Sequence, residues 1–347
     1  MILAPSGYIW RVRSNKKGAR FKRMRGTLLH RTLIDPQLAE ILRQMPSLET
    51  SAETLPAMRE AMSGWRLTAP SAVDVRREEK FVGASGGKQV RILVYSPKEL
   101  CPTTGGLLWI HGGGMVMGSP EINDAPNRYL AQQANCVVVA VAYSLAPEHP
   151  YPAGLEDCYA VLQWLGREAT ALGISRERIA VAGESGGGAL CAGLSLLARD
   201  RGEFRLSAQF LMFPMLDDRT GTPVEPGAMP LAGKFVWTRS SNRFCWDAVL
   251  GDVPDNEVPV YASPGRSDTL SGLPPTFLAV GDVDLFVGEN LRFAQQLIRD
   301  GVSTEFHIYP GAPHGFTAWG AETELARRCQ QDFWAAIFRH FRSGRAE

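Results

Sequence analysis

The sequence has no apolar run long enough to cross a bilayer. Its clearest one, Val137 to Ala142, is far short of the roughly 20 residues a spanning helix needs. It has no C-x-x-C pair, and its six cysteines lie at least 22 residues apart, which argues against a structural zinc site and against a disulfide framework. It has no N-x-[ST] sequon either. Free thiols in apolar or helical stretches behave as small hydrophobes, so a reducing, cytoplasmic setting is expected. Net charge is almost absent: 37 bases face 36 acids, +1 over 347 residues, which removes the bulk electrostatic case for nucleic-acid binding. Hydrophobic residues at 45% and charged residues at 21% exclude a disordered or fibrous chain. The length suits one large α/β domain or two average ones.

The small total hides a gradient. Residues 1–34 carry nine bases and no acid, which leaves 28 bases against 36 acids, a net charge of −8, for the remainder. Apolar residues precede the basic ones, the reverse of a secretory signal. Three readings compete for this arm: a solvated tail that touches a membrane or polyanion, an organelle transit segment, or a start placed too far upstream. The accessory readings are favoured, because a run of like charge is usually a solvated tail.

Beyond the arm, Leu38, Ile41, Leu42 and Met45 fall at helical spacing after Asp35-Pro36, with Pro46 ending the segment, and a second short helix is expected over Leu55 to Gly64. Val73–Phe81 and Gln89–Tyr95 read as a hairpin around Gly83–Gly87. Short apolar runs at 106–110, 136–142, 179–182, 209–213, 276–280 and 305–309 then alternate with helical stretches at 157–165, 189–199, 290–300 and 323–341. This grammar predicts a mostly parallel, doubly wound sheet, with the site at the carboxyl ends of its strands.

One of those ends carries G-x-S-x-G, from Gly183 to Gly187, between a buried strand and a helix. That context marks a nucleophile elbow, with Ser185 at a strained turn and a helix N-terminus favouring the anion formed when it attacks a carbonyl. An earlier strand runs into His111-Gly112-Gly113-Gly114, whose unshielded backbone N–H groups can face an oxyanion. His111 reads as an organiser of that loop. In this scaffold the acid and then the base follow the serine. His314, in PGAPHGF after the last strand, is the base; Asp282 and Asp284, in GDVDLF, qualify equally by position. His30, His149, His307 and His340 fall in the arm, a Pro-rich loop, a strand and the last helix.

Together these motifs resemble the hormone-sensitive-lipase-like carboxylesterases of the α/β-hydrolase superfamily, from about Val73 onward. The resemblance rests on His111–Gly114, on SLAPEHPYPAGLEDC from Ser144, on Gly183–Gly187, on DLFVGEN from Asp284 and on PGAPHGF from Pro310. It implies an α/β-hydrolase fold with a helical cap, and a triad of Ser185, Asp284 and His314, deciding between the two aspartates. It further implies an oxyanion hole from the N–H groups of Gly113, Gly114 and Gly186. The implied organisation is a basic arm at 1–34, cap helices at 35–70, a catalytic domain at 71–216 and 272–347, and a cap insertion at 217–271. Within that insertion Trp237, Phe244 and Trp246 read first as core. The implied activity is hydrolysis of short-chain acyl esters, with no cofactor, no metal, no nucleic acid and no membrane segment, and with a homodimer admitted. Lactones, amides and deacetylation stay open on the same triad, as does a non-catalytic small-molecule-binding relative. Ser185 excludes routes that need a carboxylate nucleophile there. Four positions depart from the family pattern: Glu184 and Gly186 stand where Asp and Ala are common, Met115 where an aromatic is frequent, softening the acyl pocket, and Ser144 where an Arg precedes L-A-P-E, removing a structural ion pair.

Overall fold

A computed structural model describes residues 33–45, 49–100 and 104–343. The basic arm, except its last two residues, falls outside them, as do Pro46 and Cys101. Eight strands form one sheet: β1 (Val75–Gly83), β2 (Gln89–Pro97), β3 (Gly105–Ile110), β4 (Cys136–Val141), β5 (Ile179–Glu184), β6 (Gln209–Met212), β7 (Thr276–Gly281) and β8 (Thr304–Tyr309). Their order is β1-β2-β4-β3-β5-β6-β7-β8. β2 alone runs against the others, pairing antiparallel with β1 and β4, while every pairing from β4 to β8 is parallel. β3, β4 and β7 are buried along their whole length, whereas the outer strand β1 carries Arg76, Arg77, Glu78, Glu79 and Lys80 and is buried only at Val75 and Val82.

Alternation along the strands sends neighbouring residues to opposite faces and so builds two cores. Leu108, Ile110, Val139, Val141 and Val181 enter one, with α4 (Ala153–Arg167) and α5 (Gly186–Arg201). Leu107, Trp109, Val138, Ala140 and Ala182 enter the other, with α3 (Asp124–Ala134) and α8 (Glu324–Arg342). The remaining described helices of nine residues or more are α1 (Pro36–Gln44), α2 (Leu55–Ser63), α6 (Arg239–Leu250) and α7 (Val287–Arg299). α1 begins as its sequence predicts: Asp35 Oδ1 accepts from the N–H groups of Gln37 at 2.9 Å and Leu38 at 3.2 Å, and Pro36 takes the first turn. No described helix is long and apolar enough to cross a membrane.

Two expectations need correction. Helix α3 was not anticipated: DAPNRYLAQQA has a proline in its first turn and few large apolar residues, so its periodicity is weak, and its stop signal is Asn135 in the left-handed region at φ 48°. The second concerns Ser144. The ion pair expected to be lost is supplied from elsewhere, since Lys88, at the mouth of the β1–β2 hairpin, places its ammonium 2.6 and 2.8 Å from the two oxygens of buried Asp157 and also bonds Ser144 Oγ. Asp157 in turn accepts from the Ser144 N–H at 2.8 Å, so a cation stands beside Ser144 although position 144 does not supply it.

A second buried carboxyl ties the segment after β6 to α7. Glu289 accepts from the Leu216 N–H at 2.5 Å and bonds the Thr220 hydroxyl. Burial, reinforced by nearby Asp217, raises its pKa well above the usual carboxylate range against the pull of Thr220.

These two carboxyls respond to opposite perturbations. Replacing Lys88 by Met leaves Asp157 buried without its cation and should cost about 1–3 kcal/mol in urea unfolding, partly recovered by adding Ser144→Arg. Glu289 holds its proton to higher pH in the folded than in the unfolded chain, where an ordinary Glu titrates near about 4.3. The stability it contributes is therefore full below that value and is lost as pH rises through the folded pKa. Glu289→Gln keeps an acceptor for Leu216 and a partner for Thr220. Its unfolding free energy should gain on that of the unsubstituted protein as pH is raised from 6 to 9.

Candidate active site

Parallel register sets the strand ends level. Ile110 lies opposite Gly183, Glu184 opposite Met212 and Gly281 opposite Tyr309, so the loops that follow β3, β5, β7 and β8 share one edge of the sheet. At the end of β5 the chain reverses through Ser185, whose φ of 54° and ψ of −123° are strained for a residue with a side chain. The strain is held by neighbours: the Ser185 N–H donates to Met212 O at 3.0 Å, and its carbonyl accepts from the Met215 N–H at 3.1 Å. The glycines around it are required by close approach. A Cβ on Gly187 would lie 2.2 Å from Ile110 O, and one on Gly183 would lie 2.6 Å from Gly187 O.

Ser185 Oγ is 2.8 Å from His314 Nε2, and His314 Nδ1 is 2.8 Å from Asp284 Oδ2. All three residues are buried. The other Asp284 oxygen accepts from the Phe286 N–H at 2.9 Å, so both oxygens of this acid are fixed. Asp282 turns elsewhere, accepting from the Gly311 N–H at 2.6 Å and tying the two loops together. The imidazole is boxed by rings, with Phe286 at 4.9 Å, Phe213 at 5.0 Å and Trp237 at 5.8 Å between centroids. Trp319 Nε1 holds the His314 carbonyl at 2.9 Å. Three other histidines lie apart: His307 in β8 pairs with Glu305, His340 in α8 bonds Ser207, and His149 is in the loop after β4.

The glycine loop sits against the elbow. Gly113 and Gly114 have φ of 114° and 60°, and a Cβ on Gly113 would fall 2.2 Å from Met117 O. A Cβ on Gly186 would lie 2.8 Å from Met115 N and 2.9 Å from Gly114 N, so the start of the helix after the elbow packs against the glycine loop. His111 organises the loop from behind. Its Nδ1 is 2.7 Å from Gly112 O, its ring stacks on Tyr143 at 4.3 Å, and burial pushes its pKa down to about 4, which keeps it a neutral donor.

Arg59 and Asn123 escape a sequence reading because they arrive from distant segments, while Trp237, read first as core, lies against the glycine loop. Arg59, on α2, donates to Val116 O at 2.7 Å and Ala146 O at 2.8 Å, and grips both oxygens of Glu148 at 2.6 and 2.7 Å. Trp237, leading into α6, covers Gly114 together with Cys245. Asn123 Nδ2 donates to Glu184 Oε1 at 3.1 Å. Apart from the triad, a cleft of about 570 Å³ opens between α2, α6 and the 147–148 loop, lined by Leu55, Arg59, Glu148 and Phe244 among others. Among the described residues no group of three or more His, Cys, Asp or Glu side chains could hold a metal ion.

A buried Ser–His–Asp chain at the end of a parallel sheet, with a glycine loop packed against the serine's helix, has the groups that acyl transfer uses. Comparison with known proteins gives the same picture. Residues 107–318 match the family described as alpha/beta hydrolase fold. Carboxylesterase NlhH of Mycobacterium tuberculosis is 34% identical over 286 residues, 82% of this chain and 88% of that protein. Esterase LipI of the same organism is 30% identical over 304 residues, 85% of this chain and 92% of its own. The solved structure titled Bacterial Heroin Esterase superposes with a TM-score of 0.81 at 34% identity, covering 90% of this chain and 99% of that one. The chain therefore belongs to the hormone-sensitive-lipase-like carboxylesterases of the α/β-hydrolase fold.

Proposed function

We propose that the protein is a serine carboxylesterase for short-chain acyl esters, with Ser185 as nucleophile, His314 as general base and acid, and Asp284 as the acid behind it. The observation that carries this is the unbroken hydrogen-bonded chain from Ser185 Oγ through His314 to Asp284, both links at 2.8 Å. His314 takes the serine proton as Oγ attacks the ester carbonyl. The negative oxygen then sits on the N–H groups of Gly113, Gly114 and Gly186, at the start of α5. Collapse of the tetrahedral intermediate breaks the C–O bond, and the alcohol leaves with the proton from His314. Water, deprotonated by the same imidazole, repeats the cycle on the acyl-enzyme. Asp284 fixes the tautomer that leaves Nε2 free and stabilises the imidazolium; the ring box around His314 excludes bulk water, which strengthens each charge interaction.

Residues 35–70 and 217–271 serve as the cap in this reading. α2 and α6 support that role most directly, because Arg59 holds the segment after the glycines while Trp237 and Cys245 roof Gly114. α1 works lower down, against the loop of His314, where the Asp35 N–H donates to Gly311 O at 3.0 Å. That close roof favours small acyl groups. The five described cysteines are buried and unpaired, which supports a reducing, cytoplasmic setting. Lactone and amide hydrolysis use the same groups, whereas a binding-only role is disfavoured by a base already placed on its serine.

Hydrolysis of p-nitrophenyl acetate and butyrate tests the assignment. Ser185→Ala should lose at least about 10⁴-fold in kcat, and Asp284→Asn about 10³–10⁴-fold. Asp282→Asn should keep most of the turnover; equal losses at the two aspartates would overturn the choice between them.

A further inference from the structure

Acyl transfer gives Glu184 no task, although it directly precedes the nucleophile. Its Cγ lies 3.3 Å from where a Cβ on Gly112 would sit, beside Ser185 Cβ at 3.5 Å, so the side chain runs under the first glycine of the loop, next to the nucleophile. Its one hydrogen-bond partner among the described residues is Asn123, which donates to Oε1 at 3.1 Å. Burial raises the carboxyl pKa, opposed by Asn123 and by the nearby His314. Yet Glu184 keeps some accessible surface, while Gly183 and Ser185 on either side are buried. The residue is thus held by Asn123 on one oxygen and accessible elsewhere, and its stem runs beside Ser185.

The segment that holds this carboxyl carries further unused hydrogen-bonding capacity. Asn123 Oδ1 is buried without a partner, and so are both polar atoms of Asn127, one helical turn further along α3. Buried polar groups are nearly always paired, because an unpaired one forfeits its hydration without return. An acceptor oriented by an amide on one oxygen and open on the other is suited to a donor brought by a ligand, and most strongly to a charged one.

We propose that Glu184, oriented by Asn123, is a specificity-determining acceptor for a protonated amine on the substrate, so that esters carrying an ammonium group a few bonds from the scissile carbonyl are preferred over their neutral isosteres. The proposal rests on the carboxylesterase reading and adds a substrate class to it. The ammonium would place an N–H against the open carboxyl oxygen while the ester carbonyl lies on the glycine loop. An anionic group at the same position would meet the carboxylate and be rejected.

Two isosteric pairs test this on the two sides of the ester. 2-(Dimethylamino)ethyl acetate against 3-methylbutyl acetate probes the alcohol side, and ethyl N,N-dimethylglycinate against ethyl 3-methylbutanoate the acyl side. The readout is the ratio of kcat/KM within each pair, divided by the ratio of their hydroxide-catalysed rates. The unsubstituted enzyme should prefer the amine by about 10-fold or more in at least one pair. Glu184→Gln keeps an oxygen for Asn123 but turns a donor toward the ligand, and should bring that ratio to near one. Glu184→Asp, with its carboxylate drawn back, should fall between, and thermal unfolding of both variants checks that they are folded. A ratio near one in the unsubstituted enzyme for both pairs overturns the proposal, as does a preference that survives in Glu184→Gln. Failure of the unsubstituted enzyme to hydrolyse any of the four esters, or phenyl acetate, would instead refute the carboxylesterase reading beneath it.

Discussion

The approach of Gly187 to the carbonyls of Ile110 and His111 is the constraint on which the site depends. A Cβ there would be 2.2 and 2.4 Å from those oxygens, so the elbow after β5 and the loop after β3 are pressed together with no room for a side chain between them. This contact holds Ser185 at positive φ and sets Gly186 against Gly114. The third participant, His314, follows β8, three strands across from β5, and its loop reaches back over the level strand ends to the serine. The strain at Ser185, of order 1–3 kcal/mol, persists because strands on both sides over-determine it. Nucleophile and glycine loop are therefore one packed object, in place before any substrate arrives.

Much of this was legible from residue order, because local rules govern it. Fully buried strands read as apolar runs, and the sheet places those runs level. G-x-S-x-G and the triple glycine declare themselves because close backbone approach tolerates no other residue. Asp282 and Asp284 could not be separated by spacing, since both follow β7 within three residues. What separates them is the direction each side chain takes, one toward His314 and the other toward Gly311. Helix α3 was illegible for a different reason: its burial comes from small and polar residues, among them Pro126, Asn127 and Ala131, which leave no apolar stripe.

Long-range partners were the least legible. Lys88 and Asp157 meet across 69 positions, Arg59 and Glu148 across 89. Each pair exists because the sheet has first brought together segments that share no local signal. Ser144 shows how this misleads a position-by-position comparison. Position 144 carries no cation, yet the buried anion beside it has an ammonium within 2.6 Å, delivered by a hairpin. The requirement lies with buried Asp157, and the source of the compensating charge is free to move.

The charged outer strand has a consequence for self-association. β1 is nine residues long, and along the side that β2 does not cover it presents a row of main-chain donors and acceptors, the usual template for adding a strand from another chain. Arg76 and Glu79 are exposed, Glu78 and Lys80 half so, and Arg77 is paired with Asp124, so a strand arriving at this edge would have to strip water from several charges at once. Those charges oppose growth of the sheet at this margin.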